Sequence, residues 1–388
     1  MFSSRSTFDL SPNPLAVALA RARAGAPARP VLDLTESNPT RTHLPYPEQP
    51  ILSALAQPAA LRYEPAPFGL TAAREAVARD LGAGGPPVDA ARIVLTASTS
   101  EAYAFLFKLL CEPGDEVLVP RPSYPLFEHL AKLEAVRLVP YRLAYDGSWH
   151  VDVGSARAAA SPRTRAIIAV SPNNPTGSYL KAGELAALAS LGLPIVSDEV
   201  FARYPLREDR DRVRTVLEAD GAQLVFALGG LSKQAALPQM KLAWIAVGGE
   251  KAQAEAALER LEVIADAFLS VGTPVQHAAP ALLASAGAVQ SAIRARAATN
   301  LAHARAAVAS SPVSVLDAEG GWYATLRLPR TRSEQEWALR FLEEDGVYVH
   351  PGHFFDFEEE AYAIVSLLTP EKTLQEGIRR IVARVALE

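Results

Sequence analysis

The sequence has one cysteine, no long apolar run and no concentration of charge of one sign, and each lack excludes something. Cys111 alone cannot form an internal disulfide, so a reducing compartment and a cytoplasmic location are expected. Standing just before the turn Glu112-Pro113-Gly114-Asp115, it reads as a small buried apolar residue. No apolar stretch is long enough to span a bilayer, and the start Met1-Phe2-Ser3-Ser4-Arg5 lacks the apolar core of a signal peptide. The net charge is −5, with Lys and Arg scattered along the chain, so neither nucleic acid nor an anionic membrane is an expected partner. No His, Cys, Asp and Glu fall at metal-ligand spacing, so no metal is expected. A Gly-x-Gly-x-x-Gly turn, a Walker-type loop and a Gly-x-Ser-x-Gly elbow are missing as well.

What is there is the composition of an ordinary globular enzyme: 388 residues, 49% hydrophobic and 21% charged. That length exceeds one small core and suits a large domain with a smaller one, or one large α/β unit with additions. A helix is expected over 13–24, with Pro14 in its first turn, then a proline-spaced segment over 26–50 holding a short strand at 31–34. Three- and four-residue apolar spacing predicts helices over 71–81 and 99–111. Short aliphatic runs at 116–119, 136–141, 166–170, 195–197, 224–228 and 242–247 read as strands, with helical stretches such as 125–133 and 182–191 between several of them. That alternation predicts an α/β fold with a mostly parallel sheet covered on both faces. The Ala-rich segment 276–310 reads as a long helical connector. Beyond it, strands at 313–316, 321–328, 348–350 and 362–368, with helices near 334–343 and 374–386, make a second α+β unit.

The sharpest local signal is Gly229-Gly230-Leu231-Ser232-Lys233. It puts a lysine at the carboxyl end of a buried strand, the edge where open α/β sheets bind ligands. Further motifs follow one another in order: Asp33 to Thr40; Tyr63-Glu64-Pro65 through Gly69 to Arg74-Glu75-Ala76; Thr96 to Ala102; Pro113-Gly114-Asp115-Glu116-Val117; Pro120 to Pro125; Ser171-Pro172-Asn173-Asn174-Pro175-Thr176-Gly177; Ser197-Asp198-Glu199-Val200; Ser232-Lys233; and Pro351-Gly352. With these in series the chain resembles the class I/II aminotransferases, the fold-type I pyridoxal-phosphate enzymes, over most of its length.

The resemblance implies a PLP-transferase-like large domain over 46–280 and a small domain made from both chain ends, 1–45 and 281–388. It implies pyridoxal 5'-phosphate held as a Schiff base on Lys233, which also serves as the base at the substrate's Cα. Asp198 would pair with the pyridine nitrogen, Tyr124 would stack on the ring, and Asn174 would bond the phenolic oxygen, with the Asn174-Pro175 peptide cis. Ser98, Thr99, Ser100 and Ser232 would meet the phosphate. Tyr63 would reach the phosphate of a neighbouring subunit, which implies a homodimer with shared sites. Ser37, Asn38 and Asn174 would line the substrate position.

Four positions depart from the family pattern. Lys241 stands where an arginine grips the phosphate, trading a bidentate fork for a point charge. Gly230 replaces a serine, and Phe201 replaces a tyrosine that bonds the phenolic oxygen. Ile364 occupies the place of the arginine that clamps the substrate carboxylate. Arg41 is a candidate replacement, and equally a surface arginine. His353 reads as a loop histidine with a structural bond, and Trp322 and Tyr323 as core or lid packing. The expected activity is amino transfer between an amino acid or amine and an oxo acid; a lyase on the same scaffold, β-eliminating or decarboxylating, is the alternative.

Overall fold

The computed structural model describes residues 2–24, 30–219, 223–269 and 271–388; the part of the proline-spaced segment at 26–29 lies outside them. Eight strands form the larger sheet, in the spatial order Ile93–Thr96, Ala243–Gly248, Val225–Gly230, Ile195–Asp198, Thr164–Val170, Glu116–Arg121, Arg137–Tyr145 and Trp149–Val151. Five neighbours, from Val225–Gly230 to Arg137–Tyr145, run parallel. Ala243–Gly248 is antiparallel to both its neighbours, and Trp149–Val151 closes the far edge as an antiparallel hairpin partner.

The runs read as strands are continuous in hydrophobicity because their residues are buried on both sides. Alternate side chains enter two different cores. Leu95, Leu118, Ile167, Ile195, Ala227 and Trp244 join one cluster. Their immediate neighbours Val94, Val117, Ile168, Val196, Phe226 and Ile245 join the other. The sheet is thus the wall between two apolar layers, exposed along the strand Arg137–Tyr145 near its far edge.

A smaller antiparallel sheet holds Ser314–Val315, Tyr323–Arg327, Tyr362–Ser366 and His350–Pro351 in that order. The single strand expected at 348–350 is split. Tyr348 pairs with Asp33 in a separate parallel pair, Leu32–Asp33 with Val347–Tyr348, whereas His350 pairs with Ile364. This switch ties the N-terminal segment to the C-terminal part, and one apolar cluster contains Leu15 and Leu34 together with Leu326, Trp337, Phe341, Val365 and Ile378.

The connector expected over 276–310 is two helices, Thr273–Ala284 and Gly287–Val308, broken at Ser285-Ala286. Val275, Ala278 and Leu282 pack into the core of the large sheet, while Ala297, Leu301 and Ala304 pack with the chain ends. Two faces serving two cores cannot be one straight stripe, which is why a single periodic pattern misreads the segment. The helices Glu48–Leu55, Val153–Ala159 and Lys251–Phe268 and the strand Trp149–Val151 were not anticipated.

Candidate active site

Because the parallel strands all end on one side, the segments that follow them share one edge of the large sheet. Thr96 leads into Ser98–Ser100, Arg121 into Tyr124, Val170 into Asn174, and Gly230 into Lys233; Asp198 is itself the last residue of its strand. Lys241 enters the same edge, two residues ahead of the antiparallel strand Ala243–Gly248, with Ala243 paired to Gly230. Strand polarity alone therefore gathers the expected residues from far-apart stretches of chain.

Lys233 sits in the short helical turn Leu231–Gln234. Carbonyls of that turn and just beyond it are held from outside: Tyr204 donates to Lys233 O at 2.5 Å, Gln290 to Gln234 O at 2.7 Å and Tyr46 to Ala236 O at 2.7 Å. The backbone is pinned, so motion is left to the side chain. Its Nζ lies 5.1 Å from the ring centre of Trp322 and 5.6 Å from that of Phe201, and the two rings meet edge-on. Burial pushes the Lys233 ammonium below its ordinary range, with Asp198 opposing the shift. A neutral amine is what a base needs. Gly229 is required here, since a Cβ would fall 2.6 Å from the indole nitrogen of Trp244. The departure at Gly230 has a similar basis, a Cβ there meeting that of Ala243 at 3.0 Å.

Asp198 is 8% exposed, and burial raises its carboxyl to about 6; the bonds from Val200 N–H and the Tyr103 hydroxyl and the charge of Lys233 pull the other way. The neighbouring Glu199, turned to Val216 N–H at 2.8 Å, is raised to about 7 by burial. Asn174 is buried, the Asn174-Pro175 peptide is cis, and the amide oxygen has no hydrogen-bond partner among the described residues. An unpaired buried amide costs about 1–3 kcal/mol, and either end of the amide can be the open one. It marks a position built for something beyond the chain.

Ser98 caps the helix Thr99–Leu110 by accepting from Glu101 N–H at 3.1 Å, while Glu101 reaches back to Ala97 N–H at 2.6 Å. The Ser98 hydroxyl donates no hydrogen bond among the described residues, and Thr99, Ser100 and Ser232 lie half-buried nearby on the same edge. Lys241 is exposed and left-handed at φ 54°, a backbone state uncommon outside glycine. Tyr124 keeps 42% of its surface exposed, and Tyr63 keeps 78%. No metal-binding group of His, Cys, Asp or Glu occurs among the described residues.

The substrate side is less gathered. Arg41, in the short turn Pro39–Arg41, has its side chain 75% exposed and 4.0 Å from the Glu36 carboxylate, and among the described residues no hydrogen bond or ion pair joins it to Lys233 or Asp198. Ser37 meets the hydroxyl of Tyr323, a ring that sits 6.2 Å from Phe201 and is pushed up to about 12 by burial. Asn38 caps its own turn by accepting from Thr40 N–H. Tyr323 and Trp322 were expected as core or lid packing. They do pack in a core cluster, and within it Trp322 also lies 5.1 Å from the Lys233 amine while both rings meet Phe201, a placement no local pattern could show because it depends on how the two sheets meet. His353 makes the structural bond expected of it, N–H to Glu334 at 2.7 Å. Cys111 is half-buried rather than fully buried, and burial raises its thiol to about 12.

Residues 29–381 match the family described as aminotransferase class I and II. The chain belongs to that family. It is 30% identical over 215 residues to the glutamate-pyruvate aminotransferase AlaA of Escherichia coli K12, covering 54% of this chain and 53% of that protein. The chain thus spans about half the length of the curated relatives it matches. Two solved structures share its fold. An aminotransferase from Escherichia coli has a TM-score of 0.86 at 24% identity, over 100% of this chain and 98% of that one. The alanine aminotransferase from Pyrococcus furiosus has a TM-score of 0.86 at 23% identity, over 96% and 95%. The position expected to carry a carboxylate-gripping arginine holds Ile364, 1% exposed, paired across the small sheet with Thr325 and His350. No helix among the described residues is long and apolar enough to cross a membrane.

Proposed function

We propose that this class I/II family member is a pyridoxal-phosphate-dependent aminotransferase, moving an amino group between an amino acid or amine and an oxo acid. The observation that carries the reading is the meeting of Lys233, Asp198 and the unpartnered Asn174 amide at one sheet edge. These residues fit the cofactor. The half-buried Lys233 amine suits its aldehyde, the Asp198 carboxylate its ring nitrogen, and the Asn174 amide its phenolic oxygen. The helix start at Ser98, Thr99 and Ser100, with Ser232 and Lys241, suits its phosphate. When bound, pyridoxal phosphate supplies the electron sink for the pair left at the substrate's Cα.

The chain's own residues do the rest. Lys233, enclosed by Phe201 and Trp322 and with its hold on a proton weakened by burial, would take up the proton from the substrate's Cα. Asp198 keeps a negative charge against the ring nitrogen, and Tyr124 covers one ring face. Ser37, Asn38 and Asn174 line the substrate position, and Arg41, with its side chain 75% exposed, stands outside it. The division into 46–280 as cofactor domain and 1–45 with 281–388 as small domain belongs to the same reading. So does a homodimer in which the exposed Tyr63, beside the 91% exposed Leu61, reaches a second copy. A cytoplasmic location accompanies it. The lyase alternative finds no support in the family match.

The test is an absorbance spectrum of the protein reconstituted with pyridoxal phosphate, before and after a panel of amino acids and amines. A donor that bleaches the long-wavelength band, restored by an oxo acid, supports amino transfer. Release of ammonia and oxo acid with no acceptor needed would hand the reaction to the lyase reading.

A further inference from the structure

We propose that Tyr103 is a positioning residue for Asp198: its hydroxyl orients the carboxylate and sets how tightly that carboxylate holds a proton. The inference rests on reading the Asp198 site as one for pyridoxal phosphate.

Tyr103 lies on the buried side of the helix Thr99–Leu110, between Ala102 and Phe105 in the apolar layer. A tyrosine 2% exposed among aromatics needs a partner for its hydroxyl. It has one. The hydroxyl donates to Asp198 Oδ2 at 3.2 Å, across 95 residues of sequence. The ring is gripped by Phe107, one turn on, at 6.1 Å, and by Phe127 of the next helix, edge-on at 5.1 Å. Its donor therefore has little freedom to point elsewhere. Burial and the Asp198 charge keep the phenol protonated far above working pH, so the hydroxyl is always donor and the carboxylate always acceptor.

Asp198 has little else. Its Oδ1 accepts from Val200 N–H at 3.2 Å, and no cation lies within ion-pair distance among the described residues. The charged or titratable groups that face it are Lys233 from its turn, Tyr124 from the loop before the Leu126–Leu133 helix, Glu199 beside it, and Tyr103, with Tyr141 behind Tyr103. Tyr103 and Val200 thus supply its two hydrogen bonds, one to each oxygen, leaving lone pairs for a ring N–H. A carboxylate buried this deeply is near the point of taking up a proton at neutral pH. Loss of one bond to the charged form moves it past that point. A protonated Asp198 can no longer hold a proton on a ring nitrogen by charge.

The experiment is Tyr103→Phe, which keeps the ring and removes only the hydroxyl. In the protein without cofactor, carboxyl 13C NMR of labelled aspartate, with Asp198→Asn for assignment, follows the Asp198 titration directly. The proton affinity of Asp198 is expected to rise about tenfold, one unit of midpoint. In the pyridoxal-phosphate-loaded enzyme the acid limb of kcat/KM should move to higher pH by a like amount, with little change at the alkaline plateau. Incorporation of 3-fluorotyrosine at 103, a stronger donor in the same shape, should move the midpoint the other way; it remains informative if the phenylalanine variant fails to fold. An unmoved Asp198 midpoint in the folded variants overturns the proposal. Wild-type protein that takes up no pyridoxal phosphate, with the NMR shift present, overturns the cofactor reading instead and leaves the Tyr103 bond standing.

Discussion

At the carboxyl edge of the large sheet, polar groups are left open: the Asn174 amide oxygen, the Lys233 amine and the hydroxyls beside Ser98. The face of the small sheet that meets this edge is made differently. Ala324, Leu326, Ala363 and Val365 point into the small core, so Tyr323, Thr325, Ile364 and Ser366 point the other way, Tyr323 coming to 6.2 Å from Phe201. That face carries rings, a buried isoleucine and a threonine hydroxyl with no partner, and at Ile364 no charge. The contrast teaches that the sheet edge keeps its polar and charged groups, even with the departures at Gly230, Phe201 and Lys241, while the facing sheet carries an uncharged Ile364 where an arginine was expected. Chemistry is tied to strand ends, whose position the fold cannot change. Recognition rests on side chains of a facing sheet, which can be exchanged singly.

The contrast can be broken most severely at Lys233. Lys233→Ala should lower amino exchange by about a thousandfold or more, as loss of a positioned base does. Single-turnover exchange measures it, and near-normal rates would remove the lysine from the chemistry.

Asp198→Asn should likewise cripple exchange while stabilising the cofactor-free protein. The sign follows from linkage. The folded carboxyl titrates near 6 and the unfolded one near 3.8, so the fold binds the extra proton in between. The stability tied to this group is whole below about pH 4 and lost as pH rises through 6. The asparagine variant should therefore gain up to about 3 kcal/mol at pH 8 and nothing below pH 4. Denaturant melts at the two pH values decide; an equal gain at both would mean that packing, not charge, is responsible.

On the small-sheet side, Ile364→Ala should cost about 2 kcal/mol or more of stability through the cavity it leaves. Pyridoxal-phosphate affinity should stay within about twofold if the two halves are separable. A large loss of cofactor affinity would merge them. Lys241→Arg, restoring a fork to the phosphate, should tighten the cofactor by about threefold to tenfold in equilibrium dialysis; no tightening would place Lys241 away from it. The smallest effect is expected at Arg41, whose exposed side chain predicts a change in substrate KM of about twofold or less on Arg41→Ala. A tenfold rise would bring Arg41 into the site as the missing cation.

The gathering of these residues at the sheet's carboxyl edge was legible beforehand, because motif and strand end coincide: Asp198 closes an apolar run, and Lys233 follows a Gly-Gly turn pressed against Trp244. Tyr103 was not, since a tyrosine within an apolar helical stripe looks like core until its hydroxyl is seen to meet Asp198. Nor were Trp322 and Tyr323, whose neighbours Lys233 and Ser37 lie far away in sequence. The split of 348–350 between two sheets escaped for a similar reason, because three residues in extended backbone do not say which partner each will pair with.

The sequence by itself determined the alternation of buried strands and helices, the order of the motifs and the family, since these depend on local hydrophobic period and on residues at fixed spacing. Only the tertiary structure decided what encloses the lysine, which donor holds Asp198, and that the small sheet turns an uncharged face toward them. Those are contacts between segments tens to hundreds of residues apart, set by how two sheets and their covering helices pack, and no local period encodes them.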